Sequence, residues 1–473
     1  MTALYGTDWP NVVDPGPDDN PTAPAEVHRG QARLAYRLAS AYADRLMFVH
    51  GIGWHAWDGR RWVEDDQGAA KRAVLEVLRA ALAESLDDRD LRADVRRCES
   101  ASGVAGVLEL AEALAPFAAT VRDLDADPYA LNCQNGTLDL RTGQLRAHNP
   151  ADRITKLAGA AYEPDALGPT WRAFLERVLP DEPVRAFASR YVGHALAGQV
   201  LEHVLALLTG SGRNGKSVFV GAVAAALGDY AGTAEPDLFM HRDGAHPTGE
   251  FDLRGLRWVV VNESDAGRRL AEATVKRLTG GDEIKARRMR QDFVSFIPSH
   301  TAALVTNHLP RVSGDDPALW ARLRVVPFVA TIPRGEQDPH LGEKLAAEAA
   351  AVLAWAVSGW DDYTRDGLAE PAAVMAATDA YHAASDAIAR FLDQCCLIGP
   401  HYYATVTELW DRWTSWATDD GAEPVSKRAF GEALDKRGYP VHRGTGGRRV
   451  RRGLGLQADD EDQHDARRLG VVT

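Results

Sequence analysis

The sequence predicts an α/β protein: a core on a parallel sheet, an α+β region before it, and helices with a basic hairpin after it. Three observations carry that prediction. From about residue 203 to 330, short apolar strands alternate with helical segments, the pattern of strands joined by crossover helices. One of those strands, Leu205 to Thr209 (LALLT), runs without a gap into a glycine-rich octapeptide and then an Ala-rich helix, Val218 to Leu227. The composition, 45% hydrophobic and 26% charged over 473 residues, is that of a folded chain of roughly three domains at ~150 residues each. It excludes a chain disordered throughout, a collagen-like repeat and a small disulfide scaffold.

Taken in order, residues 1–25 are rich in Pro, Asp and Asn and read as a flexible tail without the apolar stretch of a signal peptide. Residues 26–170 form the α+β region. There Val27 to Leu46 has helical periodicity, and Phe48 to Glu64 alternates aromatic residues about an Asp58-Gly59 turn, a hairpin signal. Ala69 to Leu114 is mostly helical, and Asn135-Gly136 and Thr142-Gly143 bracket a short strand. Residues 171–335 hold the core, entered by helical periodicity from Trp171 to Leu201. Residues 336–396 read as a helical lid or linker, with Ala-rich helices over Leu341 to Asp366 and Pro371 to Cys396. Residues 397–457 read as helix, turn, helix and a Gly/Arg hairpin, and 458–473 as a disordered tail.

The longest nearly uninterrupted apolar run, Ala349 to Trp360, is 12 residues. A membrane span needs about 18 or more, so a buried helix and no membrane partner are expected. Four cysteines, Cys98, Cys133, Cys395 and Cys396, form neither a disulfide framework nor a zinc pattern, which points to reduced thiols in a cytoplasmic setting. The net charge of −13 argues against nonspecific nucleic-acid binding, but its distribution argues otherwise. Arg268 to Arg290 carries a local +5 and Ser426 to Arg452 a local +7. Such islands in an acidic chain hold polyanions locally, or are simply solvated faces.

The octapeptide Gly210-Ser211-Gly212-Arg213-Asn214-Gly215-Lys216-Ser217 matches GxxxxGK[ST], between a strand and a helix as that motif requires. Glycines let successive N–H groups face a β-phosphate, and the helix N-terminus adds partial positive charge. Lys216 then reaches the β- and γ-phosphates, and the Ser217 hydroxyl ligates Mg²⁺. Hydrolysis also needs a base. Leu256 to Val261 is a buried-strand pattern ending in Asn262-Glu263, which puts Glu263 where a sheet of this kind presents a carboxylate to the γ-phosphate and its metal. Thr301 to Val305 is another apolar strand, followed by Thr306-Asn307; Asn307 either orients the attacking water or shapes the turn before Pro310. Arg322 and Arg324, just before the strand VVPF, are both candidates to reach a nucleotide on a neighbouring subunit, or to form salt bridges at a strand edge.

GSGRNGKS, VVVNES, VKRLTGGDEIKARRM, ALVTNHLP and WARLRVVPF, in that order, resemble the motifs of superfamily III helicases, and especially the helicase half of phage and plasmid primase-helicases of the poxvirus type. The resemblance covers about Asn132 to Phe328, and extends more weakly to a winged-helix-like tail from Val406 to Leu456. It implies an AAA+ P-loop core in a hexameric ring, with ATP at subunit interfaces and 3′ to 5′ movement on single-stranded DNA. By position it makes Lys216 and Ser217 the phosphate and Mg²⁺ residues, Glu263 the base, Asn307 the sensor and Arg322 the finger acting in trans. It places a pore hairpin over Lys276 to Asp292, with Gly280-Gly281 as a turn and Lys285, Arg287, Arg288 and Arg290 toward the DNA backbone. Arg448 and Arg449 then belong to the wing, with forked DNA as the partner. Asn262 departs from the pattern, since many such strands carry Asp there, and Asp265 replaces it only if the chain turns.

Asp123, Asp125 and Asp127 are spaced like primase acids but precede Pro128 in polar sequence, and read as a loop. The expectation is a helicase without priming activity, served by a separate primase or origin-binding protein, in the host cytoplasm if phage-encoded. Two other readings remain: an AAA+ ATPase that remodels a protein while its winged helix holds DNA, and a small-molecule kinase.

Overall fold

The computed structural model describes residues 27–241, 248–263, 267–287, 293–312, 316–422, 425–444 and 447–457. The two tails expected at 1–25 and 458–473 lie outside the described residues.

The chain opens with α1 (Gly30–Tyr42), then β1 (Leu46–Val49), β2 (Gly53–Trp57) and β3 (Trp62–Glu64). Three helices follow, α2 (Ala69–Glu84), α3 (Arg89–Cys98) and α4 (Ala101–Ala111), and then the short β4 (Ala118–Ala119). The strands form one sheet in the order β3-β2-β1-β4. Helix α2 buries Ala70, Ala73, Val74, Val77, Leu78 and Ala81, the stripe that 3.6-residue periodicity dictates. Asp88 and Ser100 start the next two helices by accepting backbone N–H bonds. The Asp58-Gly59 turn joins β2 to β3, with the Asp58 carboxylate accepting from the N–H groups of Arg60 and Arg61.

The acid run after β4 is a loop, as its sequence predicts, and each acid has a structural task. The Asp123 carboxylate accepts from the Thr120 N–H at 2.7 Å. That of Asp125 accepts from both the N–H and hydroxyl of Thr155, and Asp127 pairs with Arg141 at 2.7 Å. An antiparallel meander follows: β5 (Ala130–Cys133), β6 (Gly136–Asp139) and β7 (Gln144–Arg146).

Helices α5 (Pro169–Val178) and α6 (Glu182–Ala195) lead into the central sheet. Its elements in order are β8 (Leu205–Thr209), α7 (Lys216–Leu227), β9 (Ala231–Ala234), α8 (Thr248–Phe251), β10 (Trp258–Glu263), α9 (Glu272–Leu278), β11 (Ile284–Ala286), β12 (Val294–Phe296), β13 (Thr301–Thr306), α10 (Pro317–Trp320) and β14 (Leu323–Pro327). The sheet is parallel, in the order β14-β8-β13-β10-β9. Both faces are covered, so strands are apolar throughout and alternate residues enter different cores. Ala206, Leu208, Val260, Ala303 and Val305 pack with α5, α6 and α7 on one side. Leu205, Leu207, Val259, Val261, Ala302 and Leu304 pack with α9 and the β11–β12 hairpin on the other.

Next come α11 (Leu341–Ala347), α12 (Ala349–Asp366), α13 (Ala372–Ser385) and α14 (Ala387–Cys395). The expected lid is built into the core instead: Val352, Leu353, Ala356, Val357, Trp360 and Val374 belong to the same apolar cluster as the sheet. The single helix expected from Pro371 to Cys396 breaks at Asp386, whose carboxylate caps α14 through the Ala389 N–H. The last unit contains β15 (Cys396–Thr405), α15 (Val406–Asp420), α16 (Lys427–Lys436), β16 (Val441–Arg443) and β17 (Arg449–Leu456), with sheet order β15-β17-β16. Strand β15 was not visible in the sequence pattern. All four cysteines are buried and unbridged. Among the described residues no helix is long and apolar enough to cross a membrane.

Candidate nucleotide site

Strand β8 ends at Thr209, and the Gly210–Ser217 loop connects it to α7. The loop needs its glycines. A Cβ on Gly210 would lie 2.5 Å from the Phe328 carbonyl oxygen, and one on Gly215, which has φ +84°, would lie 2.4 Å from Val178 Cγ1. The loop's far side is tied down where the Ile332 N–H donates to the Arg213 carbonyl at 2.9 Å.

Lys216 opens α7 and is only 4% exposed. Its ammonium has three donors and uses them on three neutral oxygens: the Gly210 carbonyl at 2.9 Å, Asn214 Oδ1 at 3.1 Å and Asn307 Oδ1 at 3.0 Å. Burial pushes its pKa below the usual lysine value. Asn214 is itself buried and donates through Nδ2 to the Phe328 carbonyl at 3.3 Å. Ser217 is exposed at the start of the helix, beside Ser211 and Arg213, which are also exposed.

Strand order brings the other candidates to the loop. Strand β13 lies between β8 and β10, and Thr209, Thr306 and Glu263 occupy one row across the three. Asn307 follows directly after that row. Two strand spacings, about 10 Å, separate the backbone of Glu263 from that of Thr209, room for a phosphate and a water between them. Asn262 sits beside Val305 and is exposed; Asp265 lies outside the described residues.

Arg322 and Arg324 are at the opposite end of the sheet. Arg324 pairs with Ala206, and Arg322 accepts through its carbonyl from the Leu205 N–H. They stand roughly 10 to 16 Å below the Thr209 row at ~3.3 Å per residue, too far to touch a nucleotide in their own loop. Arg324 is engaged by Glu370, and Arg322 Nη1 donates to the Ala318 carbonyl at 2.6 Å.

The basic hairpin differs in register from the sequence expectation. Lys276 lies on α9 and pairs with Asp316 at 2.6 Å. Gly280-Gly281 ends that helix, and the hairpin strands are β11 and β12. Ile284 and Ala286 point into the core while Lys285 and Arg287 are exposed. Arg288 and Arg290 lie outside the described residues. The sequence reading missed Phe293, which is 49% exposed, with Lys285 Nζ 5.5 Å and the Arg287 guanidinium 4.6 Å from its ring centre. Its only signal was an aromatic residue immediately before an apolar strand. In the last unit, Arg448 and Arg449 are exposed at the β16–β17 hairpin.

A groove of about 1170 Å³ beside the edge strand β9 is lined by Glu235, Asp237, Asp252 and Glu272 among others. Its acidic wall disfavours a polyphosphate. Among the described residues no cluster of three or more His, Cys, Asp or Glu could hold a metal.

Two family descriptions match the chain: D5 N terminal like, over residues 35–180, and Family of unknown function (DUF5906), over residues 208–322. Among curated proteins, "Putative helicase L207/L206" of Acanthamoeba polyphaga mimivirus is 24% identical over 77% of this chain and 43% of its own length. "Putative primase C962R" of African swine fever virus is 27% identical over 46% of this chain and 24% of its own length. This chain therefore spans less than half of those relatives. Among solved structures, the A form apo structure of the NrS-1 C terminal region aligns over 87% of this chain and 96% of that one, with 11% identity and a TM-score of 0.48. With a D5-like segment before the sheet and such relatives along its length, the chain is similar to phage and viral primase-helicases.

Proposed function

We propose that the chain is an ATP-driven DNA helicase motor of the AAA+ P-loop type, working in viral or phage replication. The observation that carries this reading is the meeting of Lys216, Asn307 and the end of β10 at one edge of the sheet, with Lys216 Nζ bonded to Asn307 Oδ1. A buried ammonium held only by neutral oxygens is a place waiting for an anion. Lys216 would exchange those oxygens for the β- and γ-phosphates of ATP. The backbone N–H groups of Gly210 to Gly215 would cradle the β-phosphate, and the Ser217 hydroxyl would ligate Mg²⁺, which neutralises developing charge on the phosphates. Asn307, released from Lys216, would hold the attacking water, and Glu263 would take its proton. Asn262 supplies a hydrogen bond without charge where an Asp is common, so the metal relies on Ser217, Glu263 and the phosphates.

Arg322, remote from its own loop, would serve the nucleotide of a neighbouring copy, which makes a ring the working form; a hexamer is the form the family resemblance implies. Arg324, bound to Glu370, would hold that corner in place. Lys285, Arg287 and Phe293 would grip single-stranded DNA through charge and stacking, and the sequence assigns Arg288 and Arg290 the same task. The last unit, read as a winged helix, would meet the fork through Arg448 and Arg449.

The test is strand displacement on forked DNA with a 3′ or 5′ loading tail, with Mg²⁺ and ATP. Wild type should unwind from the 3′ tail. Lys216→Ala should lose ATPase by about 100-fold or more. Combined Ala replacement of Lys285, Arg287, Arg288 and Arg290 should keep basal ATPase within a few fold and lose both DNA stimulation and unwinding. A wild-type ATPase that is indifferent to DNA and unwinds nothing would replace this reading with a protein-remodelling ATPase.

A further inference from the structure

We infer that the β16–β17 hairpin, and not the helix α16 that precedes it, is the surface on which the last unit holds the duplex arm of a fork. This rests on the reading of the chain as a DNA-acting motor.

Helix α16 and its C-cap carry four basic residues, and neighbouring carboxylates neutralise two of them. Arg428 pairs with Glu432 at 2.8 Å and Arg437 with Asp386 at 2.6 Å. Asp435, also on α16, pairs with the buried Arg451 of the sheet. The hairpin is different. Arg443, Arg448, Arg449 and Arg452 are all exposed, and none has an ion-pair partner among the described residues. Arg448 lies near enough to Glu408 to help lower that carboxyl's pKa, yet the two form no ion pair, and Glu408 Oε2 accepts from both the Thr405 N–H and hydroxyl.

Arg443 stands directly opposite Arg449 in the ladder. Like charges in that position destabilise a hairpin, so the arrangement makes chemical sense when an anion lies across them. Guanidinium forks match phosphate geometry better than ammonium groups do. Arg443 and Arg449 face one side of the ladder and Arg452, three residues along the strand, faces the other, so the hairpin carries arginines on both faces. A duplex groove is walled by a phosphate backbone on each side; a single strand offers one. Across the sheet from Arg452 is Tyr403, 70% exposed, an aromatic face suited to the end of the duplex where bases separate.

The full chain would be titrated with labelled blunt duplex, single strand and fork at several salt concentrations. Three variants run beside it: Ala at Arg443, Arg448, Arg449 and Arg452; Lys at the same four positions; and Ala at Lys427, Arg428 and Lys436 of α16. Circular dichroism and thermal melting establish that each is folded. The hairpin Ala variant should lose at least tenfold in affinity for duplex and fork, and its slope of log affinity against log salt should flatten by about 3 to 4. The Lys variant should keep the wild-type slope, and the α16 variant should change affinity less than twofold. Unchanged duplex binding by the hairpin Ala variant overturns the assignment and leaves the hairpin to an acidic protein partner. A larger loss in the α16 variant overturns it in favour of the helix. Wild type that binds no DNA of any form defeats the motor reading itself, along with this one.

Discussion

Lys216 and two histidines show how burial acts on single residues. Lys216 keeps its charge because three oxygens meet its three donors. His300 has no such help, and the Tyr191 carbonyl gives His194 too little to offset its burial. Burial pushes both to about 4, from 6.5. His194 stays neutral between the Tyr191 carbonyl at 2.8 Å and Thr301 Oγ1 at 3.2 Å, while neither ring nitrogen of His300 has a hydrogen-bond partner among the described residues. The sign follows from proton binding. Above pH 6.5 both rings are neutral, folded or unfolded, and contribute nothing to the pH slope. Between 6.5 and 4 the unfolded chain takes up protons that the folded chain refuses, so stability falls as pH falls. Each ring contributes about 1.4 kcal/mol per pH unit, on the order of 3 kcal/mol in all. Urea unfolding at pH 7.5, 6 and 5 should show the loss, and His300→Leu should remove about half of the histidine part while raising stability at pH 7.5. An unchanged slope in His300→Leu would mean that the ring takes up its proton alike in the folded and the unfolded chain.

At the scale of elements, β8 and β13 do most to assemble the site, and Tyr191 of α6 holds them together. Its hydroxyl donates to the Ala302 carbonyl at 2.6 Å and accepts from the Ala206 N–H at 3.0 Å, joining the two strands from the helix side. Tyr191→Phe keeps the ring but leaves a buried N–H and carbonyl short of a partner. It should cost about 1 to 3 kcal/mol in chemical denaturation; a loss below a few tenths would mean that those groups re-pair within the sheet. The strands themselves were legible because each is a fully apolar run ending in a polar motif. Their order was not: nothing local says that β13 lies between β8 and β10, and the Lys216–Asn307 bond spans 91 residues of chain. The same limit hid β15, whose exposed Ile398, Tyr402 and Tyr403 give no clean alternation and whose pairing with β17 is interrupted by a bulge. It also shifted the basic hairpin, because Gly280-Gly281 reads equally well as a hairpin turn or a helix end. Arg322 and Arg324 were visible as residues, but only the register shows them far from their own loop.

For the molecule as a whole, the composition suggests a junction near residue 170, yet the packing there is continuous. Leu131, Cys133, Leu138, Leu140, Ala158 and Ala160 from the first region share one apolar cluster with α6, α7, α12 and the sheet. Polar ties reinforce it: Arg61 with Asp229, Arg254 with Glu64 at 3.3 Å, and the Gly198 N–H to the Pro128 carbonyl at 2.7 Å. Arg257 is the centre of this seam. It is 3% exposed, donates to the carbonyls of Leu196 and Ala130, and lies over the Tyr230 ring at 4.5 Å. The last unit is held differently, with its own core around Phe391, Trp413, Phe430 and Leu454, and charged contacts such as Arg390 with Asp420 and Arg437 with Asp386 around α14. Two cooperative bodies should therefore unfold: one from α1 through α13, and one from α14 onward. Arg257→Ala would leave two buried carbonyls without a donor and cost about 2 to 4 kcal/mol. Calorimetry should show the larger transition falling by several degrees as a single peak, with the smaller one unmoved. If Arg257→Ala instead split the larger peak into two, or wild type already showed the first region melting alone, the seam would be a contact between independent domains. The first region would then be free to move against the central sheet and its helices, rather than travelling with them as one rigid piece.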